Sequence, residues 1–257
     1  MNTSDLFNIS GKVALITGGS RGIGKTIAEA YAELGAKVVI TGRRAEWLEP
    51  AANEFESKGF ACLPVLADVS KQDEVERTVK EALDKFGQVD ILVNNAGQTW
   101  GQPAEDMPLA KWQQILDVNL TGIFLMSQAV GRHMIEHRAG GRIINIASVA
   151  GLKATPPEIG KTIAYNTSKA GVIAFTRSLA REWGTHNILV NAIAPGWFET
   201  RMASRTIEAH RNDFAAETAL GRLGGLDELK GAAVFLASPA SSFITGQTLV
   251  IDGGESL

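Results

Sequence analysis

Runs rich in apolar and β-branched residues recur along the chain at Lys12–Thr17, Lys37–Thr41, Ala61–Ala67, Asp90–Asn94, Gly141–Ala147, Ile188–Ala194 and Thr248–Ile251. They read as seven strands. Between them lie stretches of helical character. One runs from Ile23 to Leu34 and stops at Gly35, and another from Ala45 to Lys58 stops at Gly59; glycine at either point suits a C-terminal cap. Lys71–Phe86 follows Ser70, an N-cap residue type, and stops at Gly87. Leu109–His137 reads as one long helix, Tyr165–Trp183 ends at Gly184, and Asp227 is placed to cap the shorter Asp227–Ala237. Strands that alternate with helices imply a parallel sheet covered on both faces. With right-handed crossovers the expected fold is α/β and doubly wound, as one domain over residues 1–257. Two stretches, about 149–162 and 199–223, show no regular pattern. Each follows a strand at the sheet edge where open α/β folds bind ligands, so both are expected to be pocket loops.

At 257 residues, with 45% hydrophobic and 21% charged, the chain is an ordinary globular one rather than a disordered one. A formal net charge of −3 argues against nucleic acid or an anionic membrane as partner. One cysteine, Cys62, excludes an internal disulfide and fits a reducing compartment. Met1–Lys12 has no cationic stretch leading into an apolar run, and no apolar run reaches the ~18 residues of a membrane span. A cytoplasmic protein is expected.

The first strand runs into Thr17-Gly18-Gly19-Ser20-Arg21-Gly22-Ile23-Gly24 and then a helix. Gly18 permits the sharp turn, Gly22 lets a pyrophosphate approach the backbone, and Gly24 lets helix and strand pack closely. The helix N-terminus offers free N–H groups and positive partial charge to phosphate. This Thr-Gly-x-x-x-Gly-x-Gly motif resembles that of the short-chain dehydrogenases/reductases, and nearly the whole chain agrees with the resemblance, which implies a single doubly wound Rossmann domain with a seven-stranded parallel sheet in the order 3-2-1-4-5-6-7. Asp68-Val69 resembles the family's adenine contact. Asn94-Asn95-Ala96-Gly97 resembles the motif that stabilises the central strand and lines the cofactor. Pro195-Gly196, Phe198 and Thr200 fall in the segment that contacts the nicotinamide. Asn119, Ser148, Tyr165 and Lys169 fall where the family keeps its catalytic tetrad. The Tyr-x-x-x-Lys spacing is unlike that of the divergent enoyl reductases.

NAD-selective members carry an acidic residue where this chain has Gly42, so no carboxylate repels a 2′-phosphate there. Arg43 and Arg44 follow, and Arg21 lies in the glycine loop. Guanidinium matches phosphate geometry and stays charged, and one such contact at roughly 1.5–3 kcal/mol favours NADP by about tenfold or more. The expected cofactor is NADP(H).

Tyr165 and Lys169 share one helix face, with Cβ atoms ~5–6 Å apart. An ammonium ~4 Å from the phenol at an effective dielectric of ~20 favours phenolate by ~4 kcal/mol, about three pKa units. The expectation is therefore a tyrosine brought toward neutrality to act as general acid and base. Ser148, at the end of strand five, can hold the substrate oxygen. By resemblance, Lys169 also grips the nicotinamide ribose and Asn119 anchors a water relay. Sixteen residues separate Ser148 from Tyr165, a longer stretch than most members carry, and the extra ones fall in Lys153–Thr162. They are expected to reshape the pocket wall.

Other candidates carry less. His133 and His137 have the spacing of a metal pair, but without a third ligand they read as a solvated face, and no metal is expected. Cys62 reads as core. Trp100 and Trp197 could each face the substrate or pack in the core or the lid. Arg201, Arg205, His210 and Arg211 could meet an anionic substrate, yet Glu199, Glu208, Asp213 and Glu217 balance them. The resemblance implies an oxidoreductase acting on CH–OH/C=O, with a small-molecule carbonyl or alcohol as substrate. The nearest groups are 3-oxoacyl thioester reductases and gluconate 5-dehydrogenase-type sugar dehydrogenases. A homotetramer built through Leu109–His137, Tyr165–Trp183 and the C-terminal strand is also implied. The alternative is an NADP-binding sensor or scaffold without turnover. An epimerase or dehydratase would need a sizeable C-terminal domain, and little chain follows strand seven.

Overall fold

A computed structural model describes residues 2–138, 140–200 and 203–257, and only the backbone of Arg205. Its seven strands are β1 (Val13–Ile16), β2 (Lys37–Gly42), β3 (Cys62–Leu66), β4 (Ile91–Asn94), β5 (Gly141–Ile146), β6 (Ile188–Pro195) and β7 (Thr248–Ile251). They form one sheet in the order β3-β2-β1-β4-β5-β6-β7, and every pairing is parallel. The expected fold is thus the observed one. The helices are α1 (Gly22–Glu33), α2 (Ala45–Ser57), α3 (Gln72–Phe86), α4 (Leu109–Leu116), α5 (Gly122–Glu136), α6 (Ile163–Trp183), α7 (Ser204–Glu217) and α8 (Lys230–Ala237).

Strand alternation sorts the apolar residues into two cores. Ala14, Ile16, Val38, Ile40, Ile91, Val93, Ile144 and Ile146 pack with Ile27 and Tyr31 of α1, Phe55 of α2 and Leu236 of α8. The intervening Val13, Leu15, Val39, Leu92 and Ile143 pack with Val79 of α3, Val130 and Met134 of α5 and Leu179 of α6. Both faces of the central strands are dry, so their sequences read as continuous apolar runs.

Four expectations about the elements need correction. The long helix is interrupted: α4 and α5 are joined by one π-helical turn, Asp117–Thr121. Ser70 does not cap α3. Lys71 occupies that position, while Ser70 gives its backbone N–H and hydroxyl to Asp68 Oδ1 at 3.0 and 2.8 Å. Asp227 lies inside a short 3-10 turn, Leu226–Leu229, that leads into α8, and Gly225 is its cap. The irregular second stretch contains α7, a helix bent at His210. Its pattern is hard to see in sequence because Ile207 and Phe214 are the side chains it sends into the core among mostly charged and polar neighbours. The turn glycines behave as expected: Gly35, Gly59 and Gly87 have φ of +81°, +76° and +81°. No helix among the described residues is long and apolar enough to cross a membrane.

Candidate active site

The carboxyl ends of the strands border a cleft of about 670 Å³. The β1–α1 loop forms its floor. Gly18, at φ +64°, makes the turn, and a Cβ on it would come within 3.0 Å of Ala96 Cα. At Gly22, also left-handed with φ +54°, the nearest atom to a Cβ is in Thr200, 3.8 Å away, so the space in front of this glycine is open on the cleft side. Gly24 does not border the cleft. A Cβ there would meet Asn95 Nδ2 at 2.3 Å and Gly18 O at 2.5 Å, which is the close packing expected of it.

Asn95 ties this loop to β4. Its Nδ2 donates to Thr17 O at 2.9 Å and Gly18 O at 3.1 Å. The backbone N–H groups of Asn95 and Ala96 both donate to Thr17 Oγ1 at 3.0 Å. Thr17 and Asn95 therefore fix the loop's shape before any ligand arrives. Asn94 extends the polar wiring inward, donating to Asn145 Oδ1 at 2.8 Å and Ser127 Oγ at 3.0 Å. Asn145 passes it to Thr176 Oγ1 at 2.9 Å. These buried bonds join β4, β5, α5 and α6 beneath the reaction end.

At that end Ser148, Tyr165 and Lys169 border the cleft together, with Ala96, Gly97, Pro195, Gly196, Phe198 and Thr200. Asn119 stands behind them, fully buried on the π-helical turn. Its Oδ1 accepts from Gln98 N at 2.9 Å, and its Nδ2 donates to Gln98 O at 2.9 Å and Ser168 Oγ at 3.0 Å. Lys169 is 4% exposed and donates from Nζ to Ile146 O at 2.6 Å. Gly97 completes the packing, its virtual Cβ lying 3.5 Å from Asn119 Oδ1 and 3.9 Å from Lys169 Nζ.

The electrostatics differ from the expectation. Lys169 Nζ sits over the Tyr165 ring, 5.7 Å from its centroid. Burial is the dominant influence on both groups. It brings the Lys169 ammonium down to about 8. It pushes the Tyr165 phenol up, with a hydrogen bond to Ser148 as the opposing influence. Burial thus outweighs the pull expected of the ammonium, and the phenol holds its proton more tightly than an ordinary tyrosine.

The opposite end of the cleft carries Ser20, Arg21, Ile23, Arg43, Arg44 and Val69. Arg43 faces Asp68 at 3.7 Å and Arg44 faces Glu46 at 3.3 Å. The Arg21 guanidinium lies over the Trp47 ring, 5.2 Å from its centroid. Asp68 itself stands behind the lining formed by Ala67 and Val69. Burial would raise its carboxyl, but the Ser70 hydrogen bonds and Arg43 hold it below the ordinary value. A Cβ on Gly42 would meet Ser20 Oγ at 3.3 Å, so this glycine keeps the corner open.

The long Ser148–Tyr165 segment does form wall, through Lys153, Thr155, Pro156, Ile159 and Thr162. Lys153 reaches the C-terminal tail, pairing with Glu255 Oε1 at 3.1 Å and donating to Glu255 O at 3.0 Å. Trp197 borders the cleft, stacked on Phe214 with ring centroids 3.9 Å apart, while Trp100 does not border it. Nothing in the amino-acid order singles out Glu255 or the Lys153 pairing, and Thr17, although part of the glycine-loop motif, shows its tie to Asn95 and Ala96 only in the fold. Trp47, an aromatic just after Arg43-Arg44, left a local signal. Arg211 pairs with Glu199 and His210 with Asp213 at 3.3 Å, as solvated lid groups do. Arg201 and the Arg205 side chain lie outside the described residues. The His133 and His137 rings meet tilted at 37° with centroids 4.3 Å apart, and no group of three metal-ligating side chains occurs among the described residues. Cys62 is half-buried, and burial raises its thiol to about 12.

This fold and this arrangement of side chains define a class. A family model described as enoyl-(acyl carrier protein) reductase matches residues 18–256, and the chain belongs to the short-chain dehydrogenase/reductase family of oxidoreductases. It is 41% identical to gluconate 5-dehydrogenase of Gluconobacter oxydans over 99% of this chain and 98% of that protein. It is 42% identical to 3-oxoacyl-(acyl-carrier-protein) reductase FabG of Vibrio cholerae, over 96% and 98%. Among solved structures, it is similar to a gluconate 5-dehydrogenase from Burkholderia cenocepacia in complex with NADP and tartrate. That pair is 39% identical with a TM-score of 0.93, and 99% of each chain is covered.

Proposed function

We propose that the protein is an NADP(H)-dependent oxidoreductase that interconverts a ketone and a secondary alcohol, with residues 1–257 acting as one cofactor-binding unit. The observation that carries this reading is the grouping of Ser148, Tyr165 and Lys169 on the cleft wall beside a preformed glycine loop. The cleft suits a dinucleotide by its donor set. Backbone N–H groups of the loop and the α1 N-terminus can receive a pyrophosphate. Arginines stand at one end and the buried lysine at the other. NADP(H), when bound, supplies or accepts hydride at its nicotinamide carbon. Ser148 holds the substrate oxygen. The protonated Tyr165 donates to that oxygen in reduction, and the Lys169 ammonium favours the phenolate left behind. Asn119 maintains the helix turn and the buried polar groups behind Lys169. Enoyl reduction is not part of this reading, because the Tyr-x-x-x-Lys spacing is that of carbonyl chemistry in this family.

The substrate is a keto-sugar, a sugar acid or a 3-oxoacyl thioester. Lys153, Thr155, Glu217 and Glu255 on the wall beyond Ser148 suit a polyhydroxy substrate better than an acyl chain. A homotetramer is consistent with the exposed Leu109, Phe124, Ile163, Leu249 and Val250, which lie on the expected contact elements, and light scattering checks it. The deciding experiment is a paired NADPH and NADH titration, followed by oxidation of the tighter ligand with keto-sugar acids and 3-oxoacyl thioesters. NADPH preference with turnover supports the reading. Equal affinities overturn the cofactor assignment. Tight binding without turnover on any carbonyl favours a sensor or scaffold.

A further inference from the structure

Resting on the NADP(H) reading above, we propose that Trp47 is a positioning residue for cofactor selectivity: its indole face holds the Arg21 guanidinium where a 2′-phosphate would sit. Arg21 is exposed, immediately before α1 and at the end of the loop that follows β1. Trp47 is in the first turn of α2, after the adjacent strand β2. Gly42, the last residue of β2, leaves the corner beside them without a carboxylate. The two side chains meet at 5.2 Å, ring centroid to guanidinium carbon.

The geometry matters because of how an arginine binds. Its phosphate donors lie in the guanidinium plane, and its π face is separate from them. An aromatic ring under the face fixes the plane without using the in-plane N–H groups. An exposed arginine otherwise loses rotamer freedom on meeting its ligand, and prior fixation reduces that loss. The ring is itself fixed, since Leu48, Ala51 and Phe55 anchor α2 in the core.

The test uses the full chain and two kinds of binding. Dissociation constants for NADPH and NADH are measured by fluorescence, and those for 2′,5′-ADP and 5′-AMP by calorimetry, with thermal melts verifying each variant's fold. Trp47→Ala should weaken NADPH and 2′,5′-ADP by about fivefold, the upper scale of an exposed cation–π contact, and leave NADH and 5′-AMP within about twofold. Trp47→Phe should restore most of the loss. In an Arg21→Gln background, Trp47→Ala should add little. Equal weakening of all four ligands would make Trp47 an adenine-stacking or merely structural residue and overturn the proposal, as would no change in any. A wild type that does not distinguish NADPH from NADH would overturn the cofactor reading and this inference together. A wild type that does, beside a Trp47→Ala variant that still does equally well, would overturn the inference alone.

Discussion

The two ends of the cleft work under opposite conditions. At the reaction end Lys169 is 4% exposed and Asn119 is fully buried. At the adenosine end the Arg43 and Arg44 side chains are 47% and 69% exposed. Where water is absent, burial controls proton affinity: the lysine is drawn down to about 8 and the tyrosine is pushed up. Where water is present, ion pairs are screened and individually weak. On the function proposed above, cofactor selectivity there would depend on what is held in place, and on the carboxylate that Gly42 does not provide, more than on the number of arginines. Single changes at the buried end should therefore alter the rate most, and changes at the open end should alter cofactor preference by smaller factors.

The strongest break in that comparison is Tyr165→Phe. Removing the phenolic proton should lower kcat about a thousandfold, within the range for loss of a general acid. The NADPH dissociation constant, measured by fluorescence, should stay within about threefold. A comparable loss in binding would place Tyr165 among the cofactor contacts rather than at the proton transfer.

Next in size is Gly42→Asp. The new Cβ meets Ser20 Oγ at 3.3 Å and Leu48 Cδ1 at 3.7 Å, a tight but tolerable fit. The carboxylate would stand beside Arg43 and face any 2′-phosphate. The ratio of NADPH to NADH affinity should fall at least about tenfold, since one charged contact of roughly 1.5–3 kcal/mol is replaced by repulsion. An unchanged ratio would show that this corner does not meet the ribose.

The third test separates activity from stability by pH. Lys169 titrates near 8 in the folded protein and at the ordinary lysine value of 10.5 when unfolded. Above pH 8 the ammonium that favours phenolate is lost, so kcat/KM for reduction should fall, approaching about tenfold per pH unit. The stability contribution runs the other way. The folded state binds fewer protons between pH 8 and 10.5, so this group's contribution rises with pH in that window and is lost as pH falls through 8. Lys169→Met should abolish both trends. Parallel trends in rate and unfolding free energy would contradict burial as the controlling influence.

The same contrast explains what could be read from the amino-acid order. The central strands are legible as apolar runs because both their faces are dry, and the glycine loop is legible because φ and close packing exclude other residues at Gly18 and Gly24. Ser148, Tyr165 and Lys169 were placed by motif, and the cleft brings them together. The π-helical turn at Asn119 was invisible because Leu109–His137 keeps a helical apolar pattern through it. Helix α7 was missed because its polar, mixed-charge sequence has almost no apolar stripe. The tyrosine's proton affinity was misjudged because a Coulomb estimate for one neighbour ignores desolvation, which depends on every chain segment packed around the pair. The Arg21–Trp47 contact joins the end of the β1–α1 loop to the first turn of α2, and the aromatic after Arg43-Arg44 is its one local sign.

The smallest effect tests the open end most closely. Arg44 borders the cleft and looks like a third phosphate ligand, yet its guanidinium faces Glu46 with both side chains more than half exposed, 69% and 62%. Exchanging that partner for a phosphate gains little in screened water, where such pairs contribute roughly 0.2–1 kcal/mol. Arg44→Ala should therefore change the NADPH dissociation constant by about twofold or less at 0.15 M salt, where charges are screened over ~8 Å. The change should grow at low ionic strength. A tenfold loss that persists at high salt would mean that Arg44 leaves Glu46 to grip the phosphate directly. Selectivity would then be shared among several cations, and the distinction between a buried end that fixes the chemistry and an open end that depends on one well-held arginine would no longer stand.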